Sequence, residues 1–189
     1  MKTHARSVRP YLPRFRRLLV SLNIGAALTA IGIMQAAPTD DPICKIVLDA
    51  MAKLGHTPHH QHATMTGAIA GGKTMEAEGI TTSDAIYVKM NGKWTASPLT
   101  PEAMAKQEQE NIRNTKVYRC QYERDENVDG EAAAVYKAHS ENENGPSDAE
   151  IWISKSRGLP LRETIDLSAG ESHMSVRFDY ANVDAPALK

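Results

Sequence analysis

The sequence predicts an α+β domain: one curved antiparallel sheet with helices packed on one side. Two observations carry this. Segments 40–55 and 100–114 each open with a capping residue followed by proline, the usual start of a helix. Around them lie eight or nine short segments of alternating polarity, punctuated by Gly-Gly, Asn-Gly and Asp-Gly turns. Strands in runs, with two interposed helices, most simply form a single sheet covered by the helices.

The first helix, DDPICKIVLDAMAKLG (40–55), has Asp41 as N-cap, Pro42 at its first position and Gly55 at its end. Ile43, Val47, Met51 and Leu54 form one apolar stripe, with Ile46 and Leu48 at its edges and Cys44 at its margin. Strands follow. HATMTGAIA runs to Gly71-Gly72, KTMEAEGITT to Ser83-Asp84, and AIYVKM meets KWTASP across Asn91-Gly92. Asn-Gly is a strong hairpin signal, because both central residues of a type I′ turn need positive φ. The second helix, TPEAMAKQEQENIRN (100–114), is capped by Thr100. Met104 and Ile112 are its only large apolar residues, so it should lie over the domain, not inside it. The second half returns to strands: KVYRCQYE, a turn at Asp129-Gly130, EAAAVYKAHS, AEIWISK, LRETIDLS, a turn at Gly170 and SHMSVRFDY. Leu161, Glu163, Ile165 and Leu167 alternate with outward residues, as do Met174, Val176, Phe178 and Tyr180.

Ahead of this domain, residues 1–17 carry Lys2, Arg6, Arg9, Arg14, Arg16 and Arg17 and no acid; an apolar run spans 18–34. A basic start, an apolar middle and small residues before a polar segment describe a cleavable signal peptide, 1–36, ending at Ala36. As a membrane anchor the run is short and is weakened by Asn23 and Gly25. Cys44 follows charged residues beyond the apolar run and does not suit a lipidation site. The expectation is an exported domain, 37–189, periplasmic or secreted, with no stable membrane span after processing. Cleavage removes six basic residues and leaves 16 Lys and Arg against 23 Asp and Glu, which argues against nucleic acid or an anionic membrane surface as the main partner.

After residue 36 there are only 7 Leu, 9 Ile, 7 Val and 1 Phe. So thin a core needs a covalent aid. Cys44 and Cys120 are the only cysteines, and in an oxidising compartment they are expected to form a disulfide pinning the first helix to a strand.

The order of elements, with the segment IWISKSRGLPLRETI (Trp152, Ile153, Gly158, Leu159, Pro160 and Arg162), resembles the periplasmic lipoprotein-carrier superfamily, the LolA-like half-barrel proteins. YVKMNGKW is similar to an early hairpin of that superfamily, and GEAAAVYKAH to the strand before the late hairpin. The resemblance implies a half-open β-barrel with two helices on its concave side. It further implies an apolar or lipid-like ligand, such as an acyl chain, in lipid or lipoprotein transport, and an envelope protein as partner. The chain is expected to be a binding or carrier module with no cofactor, not an enzyme, since its residues form no catalytic constellation. Alternation then assigns Leu161, Ile165, Leu167, Met174, Val176, Phe178 and Tyr180 to the ligand-facing set, with Met104 and Ile112 on the covering helix. Trp152 lies between Ile151 and Ile153, so that strand is apolar on both faces and its inner set stays open.

Four histidines, His56, His59, His60 and His62, precede the first strand. In an extended chain His60 and His62 share one face and His59 takes the other, with His56 in the loop. Two ligands on one face are fewer than a closed zinc site needs, so the cluster reads first as a polar strand opening. The alternative is a metal-binding protein that uses these four; a structural or interaction module is a third reading. No G-x-S-x-G, H-E-x-x-H or phosphate-cradling loop is present. Glu123, Asp125, Glu126 and Asp129 lack calcium-loop spacing and include Arg124 among them, which makes them a solvated hairpin tip.

Overall fold

The computed structural model describes residues 41–188 apart from 91, 114, 116, 143–144 and 168–170, and without the side chains of 112, 113, 117 and 142. The expected signal peptide, the Gly170 turn and the side chain of Ile112 lie outside the described residues. Among those described, no helix is long and apolar enough to cross a membrane.

Helix α1 (Pro42–Leu54) begins where Asp41 Oδ1 accepts from Ile43 N–H at 2.8 Å and more weakly from Cys44 N–H at 3.4 Å. Its buried face is Cys44, Val47, Ala50, Met51 and Leu54. The helix is therefore turned slightly from the expected stripe: Cys44 is fully buried, Ile43 half-buried and Ile46 exposed. The disulfide explains the turn. Cys44 is bonded to Cys120, as expected, with Cα atoms 5.0 Å apart, and this holds Cys44 against the sheet.

Nine strands follow: β1 (His59–Gly67), β2 (Met75–Thr81), β3 (Ile86–Met90), β4 (Lys93–Ala96), β5 (Val117–Val128), β6 (Glu131–Asn142), β7 (Gly145–Ser154), β8 (Pro160–Leu167) and β9 (Ser172–Asp179). Helix α2 (Pro101–Arg113) comes between β4 and β5. All pairings are antiparallel, in the order β4-β3-β2-β1-β9-β8-β7-β6-β5. This is the curved open sheet of a half-barrel with two helices. Its edges are β4 and β5, and α2 is the connection that carries the chain from one edge to the other.

The strands obey the two-residue period. In β9, Ser172, Met174, Val176 and Phe178 are buried and the residues between them are not. Strand β1 begins at His59, earlier than the sequence suggests, and ends at Gly67, where a short 3-10 turn, Ala68–Ala70, takes over. Gly67 has φ of +81°, and a Cβ there would fall 2.2 Å from Glu171 O, so both backbone conformation and space require glycine.

The main core lies between α1 and the concave face: Val47 and Met51 meet Met65, Tyr136, Ile151, Ile165, Met174 and Val176. A smaller cluster on the convex face holds Ala133, Val135, Trp152 and Leu161. The strand apolar on both faces is thus resolved, with Ile151 and Ile153 inward and Trp152 outward under the guanidinium of Arg162, 4.7 Å from its ring.

Candidate functional site

A cavity of about 80 Å³ sits where three elements meet. Met51, Leu54 and Gly55 come from the end of α1, Met104, Ala105 and Glu108 from α2, and His59, Gln61, Thr81 and Ile86 from β1 to β3. The sequence produces this space in a simple way. Helix α2 turns Pro101, Met104, Ala105 and Glu108 inward at i, i+3, i+4 and i+7, but two of these are small and one is acidic, so the face cannot fill the gap. Among the described residues the helix makes few close approaches to any other element. One close approach is at Gly55, where a Cβ would lie 3.4 Å from Ala105 Cβ. Gly55 has φ of −58°, so glycine serves here as a site of close approach, not as a left-handed cap.

The polar groups on this wall are ordered. His59 is buried, its Nδ1 lies 2.7 Å from Thr57 O, and its ring meets Phe178 edge-on at 5.9 Å. The carbonyl can only accept, so Nδ1 carries the proton. Burial holds this imidazole below its ordinary pKa, against the opposing hydrogen bonds to Thr57 and Gln61. Gln61 lies across its register partner Gly79, where a Cβ would fall 2.4 Å from the Gln61 side chain.

A second polar feature lies deeper. Glu163 is fully buried on the concave face, paired across the sheet with Ile151 and Val176. Among the described residues neither of its oxygens has a hydrogen-bond partner, nor does the buried Tyr118 hydroxyl. Burial, and next the charge of Glu108, push the Glu163 carboxyl up to about 8. Burial also raises Tyr118, with Glu163 and Glu108 adding to it. Glu163 is in phase with Ile165, and that was the available signal: a carboxylate where the period requires an inward residue.

The residues expected to face a ligand divide. Met104 lines the cavity. Ile165, Met174, Val176 and Phe178 belong to the packed core under α1, with Leu167 half-buried at its margin. Leu161 is on the convex face with Trp152, because a register shift between Trp152 and Ile153 adds a residue to β8 and breaks the simple alternation. Tyr180 follows β9, its hydroxyl donating to Pro160 O and its ring under Arg157 at 4.7 Å. Val176→Trp is accordingly expected to overpack the core and lower stability by about 1–3 kcal/mol, read as a lower urea midpoint.

The histidines also divide. His59 is buried within and His56 lines the cavity, while His60 and His62 lie on the outer face with their ring centroids 4.2 Å apart.

No family model and no curated protein matches the sequence. Solved structures do. The lipoprotein LppX of Mycobacterium tuberculosis is similar at 16% identity and a TM-score of 0.47, over 77% of this chain and 100% of that one. LprF from Mycobacterium bovis follows at 12% and 0.44, over 78% and 97%. A LolA-superfamily protein from Nitrosomonas europaea matches at 8% and 0.24, over 72% and 91%. The likeness is distant, and the properties of those proteins remain their own.

Proposed function

We propose that this chain is an exported binding protein, not an enzyme, that takes up an apolar, lipid-like chain beneath α2, and that it serves lipid or lipoprotein carriage in the envelope with a protein partner there. The observation that carries the reading is the cavity under a lightly packed helix, on a concave face that α1 otherwise fills. Apolar walls with a few convergent polar groups are what small-ligand sites share. The basic leader followed by an apolar run, together with the disulfide, supports export to an oxidising compartment.

The size of the cavity makes a demand. Sites that enclose drug-sized ligands run to about 300–1,000 Å³, several times the 80 Å³ of this cavity. Uptake of an acyl chain therefore requires α2 to move outward. Gly55 and Ala105 allow this to be tested, since their Cβ positions, 3.4 Å apart, are close to disulfide spacing. In the oxidised Gly55→Cys/Ala105→Cys protein, affinity for a dansyl-labelled undecanoic acid should fall at least about tenfold, equivalent to about 1.4 kcal/mol. The Gly55→Ser/Ala105→Ser protein, with similar bulk and no cross-link, should bind like the parent. Equal binding by the stapled protein, or none by the parent, would overturn the reading.

A further inference from the structure

On the outer face of the sheet, away from the cavity, we propose that His60, His62 and Glu78 form a binding site for a divalent transition-metal ion of the Zn(II) or Cu(II) class. The site is independent of the apolar-ligand reading, since its residues belong to the other face of β1.

The strand period supplies two ligands: His60 and His62 are two apart in β1 and point the same way. The register supplies the third, because the β1–β2 pairing sets Glu78 directly opposite His62. One donor atom from each of the three lies within 4.8 Å of the other two. Zinc bonds of about 2.0–2.2 Å in a tetrahedron place donors roughly 3.4 Å apart, so side-chain torsions alone can close the site. Two hairpin strands are a rigid base for such a trio, fixed by seven β1–β2 register pairs.

The trio is already partly organised. His60 Nε2 is buried without a hydrogen-bond partner and stands 3.4 Å from Glu78 Oε2. Trp94 covers one side, its ring 6.2 Å from that of His60. The surrounding charges are mixed. Asp179 pairs with His60 in register and favours a cation; Arg177 pairs with His62 and opposes one, though its guanidinium is engaged by Asp129 at 2.9 Å.

The donors select the ion. Two imidazoles and one carboxylate suit the borderline ions zinc, copper and nickel, and not calcium or magnesium, which require oxygen throughout. Three protein ligands leave at least one coordination position for water or another donor. The site also contains its own competitor: Lys89 Nζ lies 2.7 Å from Glu78 Oε1 and supplies the positive charge that a metal would replace. The remaining outer histidines provide contrast. His139 contacts Asp148 and Glu141, and His173 contacts Asp166, so each stands as a single imidazole with carboxylates.

Calorimetric titration of the chelator-treated protein with Cu(II) chloride, and separately Zn(II) chloride, tests the proposal. One equivalent should bind, and the His60→Gln/His62→Gln protein should lose it. Glu78→Gln should weaken binding by at least about tenfold, since loss of even an outer-shell partner of a ligand costs about that much. Lys89→Gln should tighten it, because the carboxylate is released from its ion pair. His139→Gln/His173→Gln should change nothing. Melting temperatures without metal report that the variants, all at exposed or half-exposed positions, retain the fold. The proposal is overturned if binding survives loss of His60 and His62, follows His139 and His173 instead, or is unaffected by Glu78→Gln.

Discussion

Glu163→Gln is expected to make the protein more stable at pH 8 to 9 and to remove much of a decline in stability that the parent shows on the alkaline side of pH 5. The cause is the fully buried carboxyl between Ile151 and Val176, faced by Glu108 and Tyr118 and held at about 8. In the unfolded chain a glutamate titrates near about 4.3. Between these values the folded protein keeps a proton that the unfolded chain has released, so the unfolded state gains with every rise in pH. The group's contribution is fully present below pH 4, shrinks as pH rises through 8, and is then exhausted. Integrated over that window, the swing is of the order of 3–5 kcal/mol. Glutamine has nearly the same shape and does not titrate, so the difference between variant and parent should grow in the variant's favour as pH rises. Its amide is still buried, and the net gain at high pH will be smaller than the swing. Urea unfolding of both proteins from pH 5 to 9 reads this directly. A difference that does not change with pH would show that the carboxyl is solvated in the folded protein.

Breaking the disulfide should cost as much. Cys44 and Cys120 are 76 residues apart, and closing a loop of that length removes about 4–5 kcal/mol of denatured-chain entropy in the chain-entropy model. For one domain with so few large aliphatic residues, this is a large share of a total stability of about 5–15 kcal/mol. The two sulfurs also fix helix to sheet, since Cys44 is buried in α1 and Cys120 lies in the edge strand β5. Cys44→Ala, Cys120→Ala and the double variant should lower the urea midpoint by similar amounts, because each removes the same bond and the losses are not additive. Thiol titration of the denatured, unreduced parent should find none; two would refute the pairing.

What the sequence revealed and concealed follows from the range of the forces involved. Helix starts were legible because capping is local: Asp41 accepts from Ile43, and Thr100 Oγ1 accepts from Ala103 N–H at 3.2 Å. The faces of β9 and β1 were legible because alternation is a property of a single strand. The side taken by Leu161 was not, because it depends on how β8 meets β7 at the bulge. Glu78 was hidden for a related reason: it joins the histidines only through the register of a hairpin. The position of the cavity was least legible of all. The sparse apolar face of α2 could be read directly, but which strands it crosses is decided by the whole sheet.

The pairing of β1 with β9 imposes an order on how the chain is put together. Strands β1 to β4 pair between neighbours in sequence, as do β5 to β9, so each set can form from local hairpins. The seam between the two sets is remote: the Ile69 amide donates to Ser172 Oγ across 103 residues. Until the last strand is available, β1 and β8 each present an open edge, the condition under which a nascent sheet recruits foreign strands. β9 is in this sense a keystone, laid last and joining two half-sheets that pair nowhere else among the described residues.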